Sequence, residues 1–106
     1  MRVLIDECID HRFRLSFPEH DCWSARYAGF GSFKNGVLLR EAEAAGFEIL
    51  LTTDANMSKQ QNMSGRRIAI IVLRARTNRL MDLLPLVDGA RAAIAMIKPG
   101  EIVEVG

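Results

Sequence analysis

The chain has 106 residues, 49% hydrophobic and 25% charged, which indicates one globular domain with a single core. No apolar run approaches the roughly 18 residues of a membrane-spanning helix, and Asp6 and Glu7 interrupt the first apolar stretch, so neither a membrane span nor a signal region is expected. The formal net charge of +1 argues neither for nor against a nucleic-acid partner. Cys8 and Cys22 lack metal-type spacing and are interpreted as buried, reduced thiols of a cytoplasmic protein.

Apolar runs alternate with helical patterns along the whole chain and predict five strands and four helices. The expected strands are residues 3–5, 20–25, 48–54, 67–73 and 101–105. The expected helices are residues 8–17, 34–45, 58–63 and 78–97, the last with a proline in its early turns. This alternation indicates an α/β fold with a mostly parallel sheet and helices on both faces. Right-handed crossovers with a single reversal make 2-1-3-4-5 the simplest strand order.

Acidic residues follow two of the predicted strands. Asp6 and Glu7 end the first strand, and Asp54 ends the third. In the order 2-1-3-4-5 these strands are neighbours at the switch point, where open α/β sheets bind ligands beyond their carboxyl ends. We therefore predict a catalytic site of three carboxylates, in which Asp6 and Asp54 bind Mg²⁺ for phosphodiester hydrolysis. Glu7 is harder to place, because adjacent residues on an extended strand point to opposite faces. Taken alone, the first two acids also suit a helix N-terminus.

Two other side chains near these acids are candidate metal ligands. Asn56 follows Asp54 by two residues. It is either a metal ligand through its neutral amide oxygen or an ordinary turn residue. Glu41, on the helix before the third strand, either reaches inward or remains solvated. Asp10 and His11 have no partner at a motif spacing and are interpreted as surface residues.

The segment between Ala55 and Met81 has no acidic residue but several lysines and arginines. Because Asp54 opens this segment, its loops are expected at or near the acidic edge of the sheet. A basic rim around an acidic centre is how a metal nuclease holds a polyanion, although a solubilising surface is the alternative. The predicted substrate contacts are Lys59, Gln61, Asn62, Arg74, Arg76, Asn78 and Arg79.

Taken in this order, the motifs resemble a PIN-like domain of the compact bacterial type, a family related to the VapC-type toxin ribonucleases. The resemblance spans residues 1–106 as a single domain. It rests on Leu4-Ile5-Asp6-Glu7, on Thr52-Thr53-Asp54-Ala55-Asn56 as a T-x-D-x-[DN] pattern, on Gln60-Gln61-Asn62 and on Arg76-Thr77-Asn78-Arg79. It implies a three-layer α/β/α fold and a Mg²⁺- or Mn²⁺-dependent endoribonuclease. The implied setting is a toxin–antitoxin pair with a cognate antitoxin protein, in a family whose members commonly form homodimers.

One departure from the family pattern opens an alternative. Family members often carry an acid near the start of the helix before the third strand, where this chain has Asn35. Loss of a carboxylate lowers the charge of the site and its metal affinity, so a catalytically weak or inactive module that binds RNA or a protein partner is the second hypothesis. A phospho-receiver domain is a third, since it shares the acid pattern. However, it needs a lysine at the end of its last strand, where this chain reads Glu104-Val105-Gly106.

Overall fold

In a computed structural model, which describes residues 1–60 and 62–106, a five-stranded sheet forms the centre of the protein. Its strands are β1 (Arg2–Ile5), β2 (Asp21–Ser24), β3 (Ile49–Thr52), β4 (Ala69–Leu73) and β5 (Ile102–Val105). All neighbouring strands run parallel, in the order β2-β1-β3-β4-β5. The predicted α/β class and strand order are confirmed, and the sheet is parallel throughout.

The three inner strands are buried on both faces, as their uninterrupted apolar sequences predict. Every residue of β3 and β4 is buried, and in β1 only Arg2 is partly exposed. The outer strands β2 and β5 are only partly buried. The distribution of apolar runs along the chain therefore determines which strands occupy the middle of the sheet.

Helices accompany the strands on both sides of the sheet. They are α1 (Asn35–Ala44), α2 (Ala55–Gln60), α3 (Leu80–Leu83) and α4 (Val87–Met96), together with the 3₁₀ helices His11–Ser16 and Leu84–Leu86. The longest α-helices of the described residues, α1 and α4, have ten residues each, and none of the helices is long and apolar enough to cross a membrane.

Three predicted helices differ from the observed ones. The helix predicted at residues 8–17 is only the 3₁₀ helix His11–Ser16, and the other two differ for identifiable reasons. The helix predicted at residues 58–63 begins three residues earlier, because Oδ1 of Asp54 accepts the backbone N–H of Asn56 (2.9 Å) and thereby caps α2. The helix predicted at residues 78–97 is interrupted near Pro85, which lies in the 3₁₀ helix between α3 and α4. A proline has no N–H to donate and its ring crowds the preceding turn, so the α-helix cannot continue through it.

Two apolar clusters cover the two faces of the sheet. The cluster on one face includes Ile5, Phe13 of the first 3₁₀ helix and Ile94 of α4. The other joins Leu4 to Leu39 of α1, and it also includes the buried methionine of α2. Because side chains alternate along a strand, neighbouring residues of β1 contribute to opposite clusters.

The connection from β4 to β5 differs in hand from the other connections. The first 3₁₀ helix and α4 pack on the same face, but the step from β1 to β2 and the step from β4 to β5 move in opposite directions along the sheet. The connections through α1 and α2 use the opposite face and have the same hand as the first. The four crossovers therefore cannot all be right-handed, contrary to the expectation. As a consequence, the chain before α3 lies beside the loop that follows β1.

Candidate metal and nucleic-acid site

The carboxyl ends of β1, β2 and β3 lie side by side at one edge of the sheet. Ile5 at the end of β1 pairs with Leu51 of β3 on one side and with Ser24 of β2 on the other. The N–H of Asp6 donates to the carbonyl oxygen of Leu51 (2.9 Å) and extends the pairing by one residue. Asp6 and Asp54 therefore follow neighbouring strands at the same edge.

Thr52, the last residue of β3, connects these two aspartates. It is fully buried, and its Oγ1 donates to Oδ2 of Asp6 (2.7 Å) while accepting the backbone N–H of Asp54 (3.1 Å). A hydroxyl has one donor and two acceptor positions, so both of these bonds can form together. Asp6, Thr52 and Asp54 are referred to below as the threonine bridge. The bridge orients the Asp6 carboxylate and fixes the backbone from which the Asp54 side chain projects.

Asp6 and Glu7 diverge although they are adjacent in the chain. Oδ1 of Asp6 accepts the backbone N–H of Glu7 (2.8 Å), while Oδ2 belongs to the threonine bridge. Oε1 of Glu7 forms an ion pair with Nη2 of Arg26 (3.0 Å), beyond the end of β2. The two acids thus contact opposite neighbours of β1, so the structure does not bring Glu7 together with the bridge.

For the remaining predicted metal ligands, the structure shows no side-chain contact with the bridge among the described residues. Asn56 is exposed and contributes its backbone N–H to the Asp54 cap, in agreement with its interpretation as a turn residue. Glu41 is half-buried on α1, and its side chain forms no hydrogen bond or ion pair with the described residues. Asn35 is exposed at the start of α1 with φ of 49°, a left-handed conformation that asparagine tolerates better than most residues.

The donor set can be compared with the coordination that Mg²⁺ and Mn²⁺ require. Within residues 1–60 and 62–106 there is no group of three or more His, Cys, Asp or Glu side chains that could hold a metal ion. Mg²⁺, however, is commonly held by one or two carboxylates together with waters and substrate phosphates, rather than by an all-protein cage. Asp6 and Asp54, at the ends of neighbouring strands, supply the number of carboxylates that this mode of binding needs.

Cys8 lies at the surface beside the bridge, so the prediction of a buried thiol is wrong for this residue. Its Sγ is 3.1 Å from Oγ1 of Thr53 and 3.6 Å from Oδ2 of Asp6. Partial desolvation of the sulfur raises the pKa of the Cys8 thiol, and the charge of Asp6 raises it further against the opposing hydrogen bond from Thr53. Cys22 is half-buried, and desolvation raises the pKa of its thiol to about 11.

The basic residues after β4 lie at the same carboxyl edge of the sheet as the threonine bridge, but they differ in whether they form ion pairs. Nη1 of Arg74 forms an ion pair with Oε2 of Glu104 on β5 (2.8 Å). Arg76 and Arg79 are exposed, and neither side chain forms an ion pair with another described residue. Asn78 is also exposed. Of the predicted substrate contacts at this edge, two arginines and an asparagine are therefore available to a ligand.

The residues before β4 lie at the opposite edge of the sheet. The backbone N–H of Arg67 donates to Oε2 of Glu43 (2.7 Å), in the last turn of α1, so the expectation that the whole basic segment borders the acidic edge is wrong for Arg66 and Arg67. Asn62 precedes them and accepts the N–H of Ser64 through its own side chain (3.0 Å).

Two further predicted substrate contacts belong to the same stretch. Lys59 is exposed in the last turn of α2, more than one helical turn beyond Asp54. Gln61 lies outside the described residues. Among the described residues of the basic segment, those that follow β4 lie at the bridge edge.

A cleft of about 980 Å³ opens beside the threonine bridge. It is named the outer cleft and is lined by residues 7–12, Ser24, Arg26, Tyr27, Asn78 and Arg79. Asp10 and His11, interpreted from the sequence as surface residues without a role, both belong to its wall. Oδ1 of Asp10 accepts the N–H of Arg12 (3.0 Å) at the start of the first 3₁₀ helix, and the guanidinium of Arg12 bonds the same carboxylate. That side-chain bond is the main reason why the pKa of Asp10 lies well below its usual range.

Sequence reasoning named Thr52 only within the T-x-D-x-[DN] pattern, without a role in the site, and it missed Arg26 and Tyr27. Thr52 is the first polar residue after an apolar run, and a threonine at such a position is a signal that could have been weighed. Tyr27 is the only tyrosine of the chain, and it lies in a stretch that was predicted as a loop. Nothing in the sequence indicates that Arg26 pairs with Glu7, since this pairing depends on how the chain bends after β2.

The competing receiver hypothesis finds no support in the placement of charged residues. Lys98 precedes β5 and therefore lies at the amino edge of the sheet, away from the aspartates. Comparisons of the chain with protein-family models, curated proteins and solved structures found no match. The function must therefore be inferred from the chain's own residues. These are two carboxylates at neighbouring strand ends, a neighbouring cleft, and arginines that form no ion pair with the described residues, all at one edge of a parallel sheet.

Proposed function

We propose that this protein is a PIN-like domain of three-layer α/β/α architecture that cleaves RNA endonucleolytically with Mg²⁺ or Mn²⁺. One observation carries the proposal: Asp6 and Asp54 follow two neighbouring parallel strands and are linked through the buried hydroxyl of Thr52. Carboxylates at this position of an open α/β sheet are where a ligand binds. The buried hydroxyl of Thr52 fixes the orientation of the Asp6 carboxylate, as the outer-shell partners of metal ligands do.

Asp6 and Asp54 would hold the metal ion, with phosphate oxygens of the substrate and water completing its shell. When bound, such an ion polarises the phosphoryl group and lowers the pKa of an attacking water. Thr52 holds Asp6 in place by donating a hydrogen bond to the oxygen that would otherwise rotate away. Glu7, paired with Arg26, contributes charge at the rim.

The proposed substrate is RNA, held by the basic side chains that follow β4. Arg76 and Arg79 have no ion pair with another described residue, and they are therefore free to bind phosphates. Asn78 and Arg79 also line the outer cleft, next to Glu7. Arg74 is a weaker candidate, because Glu104 already occupies its guanidinium.

The biological setting is proposed from the resemblance to the VapC-type ribonucleases. In that setting the protein is the toxin of a toxin–antitoxin pair, bound by a cognate antitoxin and able to form a homodimer. We place it in the cytoplasm, where free thiols such as Cys8 and Cys22 are the normal state of cysteine.

The test is a cleavage assay with the full chain and a labelled single-stranded RNA. Cleavage is expected with Mg²⁺ or Mn²⁺ and not with EDTA, and it should fall to background in Asp6→Asn and Asp54→Asn. Asp88→Asn is the matched control, because Asp88 is a fully exposed aspartate on α4. Cleavage that persists in Asp6→Asn would exclude the proposed site.

A second function is favoured because the acidic side chains that follow β1 already have hydrogen-bond or ion-pair partners. Both oxygens of Asp6 accept hydrogen bonds and Glu7 is paired with Arg26, while Asn35 stands where the family often has an acid. The second candidate function is therefore that of a module that binds RNA or a protein partner and does not cleave RNA. Metal-independent RNA binding by a protein that never cleaves under any metal condition would favour this candidate over the nuclease.

A further inference from the structure

The outer cleft meets a second, smaller cleft at Tyr27. The second cleft has a volume of about 400 Å³ and includes Arg14 and Trp23 in its wall. His11, Ser24 and Tyr27 line both clefts, so they form the ridge between them. The Tyr27 side chain stands on this ridge with 78% of the residue exposed.

Tyr27 is held in place in spite of its exposure. Its backbone N–H donates to Oγ of Ser24 (3.1 Å), and its ring lies 5.2 Å from the ring of Trp23. Nε1 of Trp23 in turn donates to Oδ1 of Asp21 (2.7 Å). The ring is therefore supported from one side and open to solvent over most of its area. A fixed, exposed aromatic ring is the platform on which proteins stack the bases of single-stranded nucleic acids.

The charges around the ridge leave one cation available in each cleft. Every acidic side chain in the two walls already has an arginine partner within 4 Å. These pairs are Glu7 with Arg26, Asp10 with Arg12, and Asp21 with Arg2. Arg79 in the outer cleft and Arg14 in the second cleft form no side-chain ion pair with the described residues. An anionic chain that crosses the ridge would thus meet an unpaired guanidinium on each side.

We infer that the Tyr27 ridge is a binding subsite for single-stranded RNA, with one base stacked on the Tyr27 ring and the flanking phosphates against Arg79 and Arg14. The inference rests on the proposed function and names the path of its substrate. Glu7 and Cys8 belong to the wall of the outer cleft and adjoin Asp6 in the chain. A strand bound across the ridge therefore has one end beside Cys8, whose Sγ lies 3.6 Å from Oδ2 of Asp6. Duplex RNA cannot use this subsite, because its bases are already stacked and paired.

The experiment measures binding apart from cleavage. Fluorescence anisotropy of a labelled single-stranded RNA is recorded with the full chain in EDTA, with the same sequence as a duplex for comparison. Tyr27→Ala should weaken single-strand binding about tenfold, as expected for the loss of one base stack, and Tyr27→Phe should retain it. Met96→Ala is the matched control, since Met96 is also 78% exposed but lies on α4 outside both clefts. Thermal unfolding of each variant verifies that the fold is kept.

The two arginines test whether the strand spans both clefts. Arg14→Gln and Arg79→Gln should each reduce the dependence of log K on log salt concentration by about 1. Unchanged binding in Tyr27→Ala, equal loss in Tyr27→Phe, or no effect of Arg14→Gln would each overturn the inference. None of these outcomes would contradict the proposed nuclease function, because that function is tested by metal-dependent cleavage. Conversely, Tyr27-dependent binding by a protein that does not cleave RNA upholds the inference and rejects the nuclease.

Discussion

The threonine bridge and the outer cleft lie at the same edge of the sheet but are built in different ways. The bridge uses a fully buried hydroxyl at the end of β3, which bonds the residue after β1 and the backbone two positions further along. The outer cleft uses mostly exposed side chains from loops and from the first 3₁₀ helix, held in part by surface ion pairs such as Glu7 with Arg26. The difference teaches that a buried hydrogen bond orients the Asp6 carboxylate, whereas the side chains of the neighbouring cleft are held by contacts at the surface.

The largest effect on the contrast between the bridge and the outer cleft is expected for Thr52→Val, which keeps the shape of the side chain and removes its hydroxyl. The Asp54 N–H and one oxygen of Asp6 then lose their partner in a partly buried position, so the free energy of unfolding in urea titrations should fall by about 2 kcal/mol. Cleavage of RNA should fall by at least about tenfold, since an orienting partner of a metal ligand is lost.

Thr53→Val is the matched control for that variant. Thr53 is only half-buried, and its hydroxyl contacts the sulfur of Cys8. Its replacement should change the free energy of unfolding by well under half as much. Equal effects of the two substitutions would show that the buried hydroxyl has no special role.

The next largest effect concerns the arginines after β4. Arg76→Gln should reduce the slope of log K against log salt concentration for RNA binding by about 1, because Arg76 is free to neutralise a phosphate. Arg74→Gln should change the slope less, because Glu104 already pairs with Arg74. Binding measured by anisotropy over a salt series distinguishes the two. A larger effect of Arg74→Gln would contradict the interpretation of the ion pair.

A smaller effect is expected at Cys8, which reports on the charge of Asp6. Because desolvation and the Asp6 charge raise the pKa of this thiol, less thiolate is present at pH 8 than in a free cysteine, and alkylation by iodoacetamide should be slow. The rate should rise with pH beyond the ordinary cysteine range. Asp6→Asn removes a charge that raises the pKa and should therefore accelerate alkylation at pH 8, whereas Asp88→Asn should not. Mass spectrometry of the labelled peptide measures the rate.

The smallest effect is expected for Glu7→Gln. Its ion pair with Arg26 is exposed, with 82% of the arginine side chain open to solvent, so the free energy of unfolding should change by less than about 0.5 kcal/mol. Mn²⁺ affinity, measured by calorimetry, should also change far less than in Asp6→Asn. If both substitutions abolished Mn²⁺ binding equally, Glu7 would be a ligand and the contrast between bridge and cleft would fail.

Much of the fold could be predicted because it depends on patterns that extend over several residues. The apolar runs of β1, β3 and β4 indicate strands buried on both faces, and the alternation with helices leads to the observed strand order. The start of α2 and the break at Pro85 were misjudged because each depends on one local contact or one missing donor. The hand of the last crossover depends on which face α4 covers, and an amphipathic pattern does not specify a face.

The candidate site was only half predictable for the same reason. Asp6 and Asp54 follow from strand order alone, since parallel neighbours bring their carboxyl ends together. The role of Thr52 and the divergence of Glu7 depend on side-chain hydrogen bonds over distances of a few ångströms. The sequence spacing of residues carries no information at that scale.

The β4–β5 connection of unusual hand has a consequence for the order in which the residues of the threonine bridge and of the outer cleft are synthesised. Every side chain of the threonine bridge is present once residues up to Asp54 have been synthesised. The outer cleft lacks a wall until Asn78 and Arg79 have crossed back over the face that carries the first 3₁₀ helix. A chain shortened before residue 78 would therefore retain the bridge residues while losing the side of the cleft that supplies Arg79. The two proposed metal ligands therefore precede Asn78 and Arg79, the last residues of the outer cleft to be synthesised.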